Sequence, residues 1–297
     1  MNLDNINLLN DCVFKALMTN PNNRELVVDV LHAITKIPKD VLNNANYIGG
    51  EELTKKNKSE KTQITDVTVK INDKLQIIVE MNQYHTDNIF EKNTLYAFTK
   101  IVENTTKNIK KYPRIFLINI DNFNYFKTNK PILEFKIRDE EGNIETDLYN
   151  SVHIVLENIK NNSYNVNEEI KKFANFLTER SIVKLENEYG GEEKYMAAIR
   201  TVEELSKDPE FSGYYDLEEA HKQELEDMLN TGIRQGKEAG YNIGHEEGYS
   251  LGISDGINKG SKEKSIEIAK NMLKKGMTVQ EIHEITELSI EEIEKIA

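Results

Sequence analysis

Between residues 66 and 82 the side chains alternate with a period of two on both sides of one turn, and few backbones satisfy that pattern. Val67, Val69 and Ile71 alternate with Asp66, Thr68 and Lys70; Leu75, Ile77, Val79 and Met81 alternate with Gln76, Glu80 and Asn82. Asn72-Asp73-Lys74 lies between them as a short polar turn. The alternation predicts a β-hairpin with one buried face. With a loop at 72–74, Ile71 faces Leu75, Val69 faces Ile77 and Val67 faces Val79, and all six apolar side chains share that face. A two-residue loop would set Val67 against Ile78 and Val69 against Gln76. A slip of one residue turns a strand over, so the first register is favoured. It places Asp66 directly opposite Glu80, with Cβ atoms roughly 4.5–5.5 Å apart, and Asn82 two residues on along the same face.

Two ionised carboxylates so close repel each other. A hard divalent cation offsets that repulsion: Mg²⁺ takes oxygen ligands, often one or two carboxylates completed by water and substrate phosphate. It also acidifies bound water and stabilises charge on a phosphoryl oxygen. The pair therefore suits phosphodiester hydrolysis. On its own it is equally well read as the polar face of a half-solvated hairpin, at a cost on the order of a few tenths to 1 kcal/mol for the like charges.

The flanking chain reads as mixed α/β. Residues 8–19 and 23–36 have helical apolar spacing (Leu9, Val13, Phe14, Leu17; then Leu26, Val27, Val30, Leu31, Ile34), with Pro21 and its neighbouring asparagines between them. A strand is expected near Asn46–Glu51 and a solvated loop at Lys55–Lys61. Residues 88–105 have helical spacing again, and Arg114–Ile120 is a near-continuous apolar run suited to a strand buried on both faces. A further hairpin is expected around Glu141-Gly142-Asn143, with strands at Ile132–Ile137 and His153–Leu156. Residues 166–230 read as largely helical, broken at Gly190-Gly191 and Asp208-Pro209.

Asp66, thirteen residues, then Glu80-Met81-Asn82 resembles the D…(D/E)-X-K signature of the PD-(D/E)XK nucleases, and the order helix, strand, hairpin, helix, strand is similar to their fold. Asn10-Asp11-Cys12-Val13-Phe14-Lys15 resembles the opening D-x-x-F-K of the recombination-promoting nuclease/putative transposase family. Lys92–Tyr96 and Ile118–Phe123 resemble its later segments. The resemblance spans roughly residues 10–127. It implies a restriction-endonuclease-like core, a mixed central sheet flanked by helices, followed by a helical C-terminal region. It further implies Mg²⁺, with Mn²⁺ as a substitute, on Asp66 and Glu80; Asp11 at the edge of the site; and DNA as substrate in a recombination setting. Asn82 stands where the superfamily has lysine. An amide hydrogen-bonds but brings no charge, so weak activity, or a degenerate fold that binds DNA or a partner without cutting, is the alternative. Lys15 could lend the missing charge from the first helix, although a solvated helix lysine is the simpler reading.

Composition excludes other classes. The single cysteine, Cys12, permits no intramolecular disulfide and no Cys zinc cluster, and fits a reducing cytoplasm. No signal-peptide pattern opens the chain, and no run of about 18 apolar residues exists, so no membrane role is expected. There is no P-loop, no G-x-G-x-x-G and no His spacing suited to zinc. His85, just beyond Glu80, reads as a solvated loop histidine before a site residue. The net charge of −13 looks wrong for a nucleic-acid binder but is unevenly spread. Residues 1–127 hold 17 Lys and Arg against 15 Asp and Glu; the remainder holds 21 against 36. The core is near neutral and the acidity lies C-terminal to it.

Glycine recurs at 232, 236, 240, 244, 248, 252, 256 and 260. The charges between these glycines rule out a membrane GxxxG helix. Each glycine costs a helix about 1 kcal/mol against alanine, so the segment is expected either to self-associate through close helix packing or to act as a flexible spacer. After it, 262–274 reads as an amphipathic helix stopped by Gly276. Thr278–Glu281 and Ser289–Glu292 are capping boxes opening two short helices. The pattern resembles a small helix-turn-helix, but six glutamates against one lysine in 278–297 would repel phosphate, which favours oligomerisation or partner docking. The expected domains are therefore the core at 1–165, a helical region at 166–230, the glycine repeat at 231–261 and the terminal module at 262–297, with a homo-oligomer formed through the C-terminal part.

Overall fold

The computed structural model describes residues 1–50, 65–105, 112–160 and 164–296, in two compact units, Met1–His221 and Lys222–Ala297. The first is built on a six-stranded sheet of order β1-β2-β3-β4-β6-β5. Its strands are β1 (Asn46–Gly49), β2 (Val67–Asn72), β3 (Leu75–Asn82), β4 (Arg114–Asp121), β5 (Ile132–Arg138) and β6 (Ile144–Val155). β1, β2 and β3 pair antiparallel; β3–β4 and β4–β6 are parallel; β5 closes the edge antiparallel to β6. The sheet is thus mixed, as expected. Helices α1 (Asp11–Thr19), α2 (Arg24–Thr35) and α3 (Lys39–Asn43) precede the hairpin, and α4 (Ile89–Glu103) is the crossover from β3 to β4 that a parallel pair requires.

The β2–β3 register is the one derived from the pattern over its length: Val67 opposes Val79 and Val69 opposes Ile77. It differs at the turn. Asn72, not Ile71, pairs with Leu75, and the ladder shifts between Lys70 and Asn72. A bulge at Ile71 therefore absorbs one residue and shortens the loop. The expectation of a single buried face is corrected as well. Val67, Val69, Ile77 and Val79 join the main core with Phe14, Leu17, Leu31, Ile118 and Ile120. The opposite face is covered by α4, where Ile78, Ala97, Ile115 and Leu117 form a second, smaller core. β3 is buried on both faces because it is an interior strand between β2 and β4.

Other boundaries move for local reasons. α1 starts at Asp11, not at residue 8, because Asn10 caps it by accepting the Cys12 and Val13 N–H groups. α3 lies in a stretch too polar and short to show a period. β1 is found at the expected place, while Lys55–Lys61 lies outside the described residues. β6 begins at Ile144, nine residues earlier than His153, and Leu156 opens α5 (Leu156–Lys160) instead of ending the strand. The early half of β6 pairs with the exposed edge strand β5, so no clean alternation marks it; Glu134, Lys136 and Arg138 keep that edge polar.

α6 (Glu168–Thr178), α7 (Ile182–Tyr189) and α8 (Glu193–Lys207) complete the helical packing, with breaks at Gly190-Gly191 and Asp208 as expected. α9 then runs without interruption from Pro209 to Lys274, so the glycine repeat is helix and continuous with the amphipathic segment after it. In the second unit α9 is followed by α10 (Val279–Thr286) and α11 (Ile290–Ile296), which close a small core of Ala269, Ile282, Leu288 and Ile293. Both capping boxes form: Thr278 with Glu281, and Ser289 with Glu292.

Nothing lies within 4 Å of a Cβ built on any glycine from 232 to 260. Gly240→Ala with Gly248→Ala is accordingly expected to raise helicity and thermal midpoint in far-UV circular dichroism, by roughly 1 kcal/mol of helix stability each. Loss of helicity instead would mean that another backbone packs on the glycine stripe.

Candidate active site

The carboxylate pair is assembled by the hairpin register and by the docking of α1. Asp66 immediately precedes β2. Its Oδ2 accepts the Met81 N–H at 2.9 Å, and its own N–H donates to Glu80 Oε1 at 3.3 Å. Each carboxylate thus reaches the partner strand's backbone, which fixes both against the ladder. α1 brings Lys15 to the same place, with Nζ 3.3 Å from Asp66 Oδ1. The start of α9 anchors the N-terminal end of α1. Asn7 and Asn10 donate to Glu219, and the Asp11 N–H donates to Glu218 at 3.2 Å. Carboxylates at a helix N-terminus are stabilised by its unpaired N–H groups and its dipole. α1 itself is seated by Val13, Phe14 and Leu17 in the main core, and that packing presents Lys15 to Asp66.

The electrostatics are those of a site short of positive charge. Glu80 is only 3% exposed. Burial first, and then the Asp66 charge, push its carboxyl well above the ordinary value of 4.5, against the pull of Lys92, the Asp66 N–H and Lys15. For Lys15, burial lowers the pKa, but the charges of Asp66, Asp11 and Glu80 outweigh it and hold the ammonium above its ordinary value. Lysine and pair stabilise each other's charged forms.

Asn82 is occupied differently. It is 3% exposed, its amide donates to Asp121 Oδ1 at 2.7 Å and to Asn119 Oδ1 at 3.3 Å, and its Oδ1 accepts from Asn93 at 3.1 Å. Asp121 Oδ2 in turn meets His153 Nδ1 at 2.8 Å, and His153 Nε2 lies 3.3 Å from both Ser151 Oγ and Asn119 Nδ2. A polar network therefore runs across β3, β4 and β6 beneath the first turns of α4.

Of the residues singled out in the sequence, the structure brings together Asp66, Glu80 and Lys15, with Asp11 close enough to act on Lys15 electrostatically. It places Asn82, two residues after Glu80, in the buried network. Sequence reasoning missed Lys92, whose charge acts on Glu80, and missed Asn93, Asp121, Ser151 and His153 in the network around Asn82. A signal for part of this existed. Asn119 and Asp121 interrupt an apolar run at alternate positions, and in the parallel register Glu80 pairs with Asn119, Asn82 with Asp121, and Asn119 with His153.

Among the described residues no three His, Cys, Asp or Glu side chains converge as a metal cage. The pair itself still fits a hard divalent ion. Both donors are carboxylates held by the backbone, and their enforced proximity raises the cost of ionising both, which such an ion would offset.

Comparison with known families gives two matches. The model described as PD-(D/E)XK nuclease family transposase matches residues 8–232. The model described as the C-terminal HTH domain of the Rpn/YhgA-like nuclease family matches residues 262–297. Neither a curated protein nor a solved structure matches the chain. No helix among the described residues is long and apolar enough to cross a membrane.

A carboxyl whose folded pKa is raised binds its proton more tightly in the folded than in the unfolded chain. Its contribution to stability is complete below the unfolded value and is lost as pH rises through the folded one. Glu80→Gln is therefore expected to melt at a higher temperature than the parent protein at pH 7–8, with the difference closing as the buffer approaches pH 4. Parallel melting curves across that range in EDTA check this.

Proposed function

Because the chain belongs to the PD-(D/E)XK nuclease family transposases, we propose that it is a metal-dependent DNA endonuclease that hydrolyses phosphodiester bonds at the Asp66–Glu80 pair. The observation that carries this reading is the buried Glu80 carboxylate held against Asp66 across the hairpin, with Lys15 turned toward them. The protein is expected to use Mg²⁺, or Mn²⁺ in its place, on Asp66 and Glu80. The ion would supply Lewis acidity and acidified water at a backbone phosphate.

The chain's own residues do the rest. The Met81 and Asp66 N–H groups keep the two carboxylates on one side of the hairpin. Lys15 supplies the positive charge that the superfamily places at the position of Asn82, and so is suited to a phosphate oxygen in the transition state. Asp11 strengthens that charge. Asn82 supports the strand ends through Asp121 and Asn119, and from there helps to place the attacking water. The engagement of the Asn82 amide favours a second reading, a catalytically degenerate nuclease fold that binds DNA or a partner without cutting. The C-terminal unit is proposed to form a homo-oligomer. Its helix-turn-helix is acidic, with six glutamates and one lysine in 278–297, and suits protein contact better than phosphate.

Plasmid cleavage by wild type, Glu80→Ala, Asp66→Ala and Lys15→Met in Mg²⁺, Mn²⁺ or EDTA separates the readings. Wild type is expected to nick or linearise DNA, with loss in EDTA and in both carboxylate variants, and about 100-fold slower cleavage by Lys15→Met. Binding without cleavage under any metal supports the degenerate reading. Light scattering on the full chain and on a chain ending at residue 221 tests assembly. The full chain is expected at a multiple of the monomer mass, and equal monomer masses would sink the oligomer.

A further inference from the structure

Aromatic rings gather at the C-terminal ends of β3 and β4, beside the carboxylate pair. Phe90, in the first turn of α4, stacks on Phe126 at 5.4 Å, and both meet His153 edge-on. These rings are half-buried or buried and extend the core. His85 and Tyr125 form the outer rim of the same cluster: Tyr125 meets Phe90 and Phe126 edge-on, and His85 meets Phe123 edge-on. They stack on each other at 5.1 Å with an interplanar angle of 27°, and both are exposed, Tyr125 by 48%. Tyr84, which accepts a hydrogen bond from Gln83 Nε2, is 43% exposed beside them.

The loop that carries Tyr125 is fixed from behind. Asn124 Nδ2 donates to the Thr128 carbonyl at 2.8 Å and Asn124 Oδ1 accepts the Thr128 N–H. Asn158 donates to the carbonyls of Thr128 and Lys130. Between them Lys127 has φ 48°, a left-handed conformation that L-residues rarely adopt. Strain held by a rigid surround is concentrated at functional loops. The Asn122 N–H donates to the Asn82 carbonyl at 2.9 Å and ties this loop to the strand bearing Glu80.

An exposed, preorganised ring pair needs an occupant that offers a flat face. His85 is five positions after Glu80, so the shelf lies within about 18 Å of the pair. Close in the chain to these rings, exposed Lys127 and Lys130 follow Tyr125 and exposed Lys92 follows Phe90, against Asp87 and Glu91, a set of net positive charge. Stacking rings beside lysines are the recognition chemistry of unpaired nucleotides, whose bases expose their faces only out of the duplex. We infer that His85 and Tyr125, flanked by Tyr84, form a stacking shelf for unpaired bases, so that the substrate class of the neighbouring site is single-stranded or locally unpaired DNA. This deepens the nuclease reading and rests on it for the word substrate, while the shelf itself is tested by binding.

The test uses the full chain carrying Glu80→Gln to prevent turnover, with a fluorescent single-stranded oligonucleotide and its duplex in fluorescence anisotropy. Tyr125→Ala and His85→Ala are expected to lose about tenfold in single-strand affinity, with duplex affinity unchanged and with Tyr125→Phe binding as the parent does. A 2-aminopurine base in the strand is expected to be quenched by the parent and not by Tyr125→Ala. If Tyr125→Ala fails to fold by circular dichroism, His85→Ala, at an exposed position, carries the comparison. Equal single-strand affinity in all variants overturns the shelf, and it leaves the nuclease reading standing if wild type cuts duplex. Shelf-dependent binding with no cleavage under any metal upholds the shelf and removes the nuclease reading. Binding of neither DNA by the parent overturns the shelf.

Discussion

The pairing register of β2 on β3 decides what every other part of the core can be. With Val67 on Val79 and Val69 on Ile77, one face of the hairpin belongs to α1 and α2, and the other is left to α4. Because a strand's side chains alternate, a slip of one residue would send Val79 and Ile77 under α4 and bring Glu80 and Ile78 into the main core. No intermediate arrangement exists. The bulge at Ile71 takes up the mismatch at the turn, where exposure makes an irregular ladder inexpensive.

The same constraint turns local repulsion into a site. Two carboxylates on a free hairpin would move apart or protonate. Here Asp66 and Glu80 are each tied to the other strand's backbone, and burial raises the cost of Glu80's charge. The only cation the fold brings within ion-pair distance of Asp66 among the described residues is Lys15. It stands there because α1 buries Val13, Phe14 and Leu17 in the main core, with the helix's N-terminal end tied to Glu218 and Glu219 at the start of α9. Stability at neutral pH is thus given up at the pair, and what relieves it is positive charge, whether from a side chain or from a bound ion. That is the trade a phosphodiester-cleaving site has to make, since charge complementarity for a transition state is a strain in its absence.

How much of this could be read in the sequence follows from which interactions are periodic. The strands near the pair were legible because Val67, Val69, Ile77 and Val79 repeat at two residues, and the Asp66–Glu80 juxtaposition follows from that repeat alone. The apolar run Arg114–Ile120 declared an interior strand for the same reason. The second buried face was not legible. Gln76, Glu80 and Asn82 look solvent-facing when read one strand at a time, and only the parallel neighbours Asn119 and Asp121, brought by a crossover helix, show where the buried Asn82 amide is satisfied. Nor could the sequence place Lys15 against Asp66, since that contact depends on how α1 docks on the sheet, which no period in its own residues encodes. The start of β6 was missed because an edge-facing strand half has no inner side to repeat.

The C-terminal half poses the opposite problem: its period is the clearest in the chain and its consequence the least determined. A four-residue glycine repeat drifts about 40° per step around an α-helix, so the stripe winds around α9 instead of lining one side. With no atom within 4 Å of the Cβ positions, the helix gains nothing from glycine that alanine would not improve. Selection for intrinsic stability does not produce such a sequence. Close approach of another backbone does, and so does a need for a helix that opens easily, which is why the glycines and the exposed Tyr241, Ile243, Tyr249 and Leu251 between them have to be explained together. Apolar side chains of that size, left exposed at such spacing, have no use in a spacer; they give the helix a surface to bury. They are the surface that the homo-oligomer proposed for this unit would cover, and they can be covered without close backbone contact at the glycines.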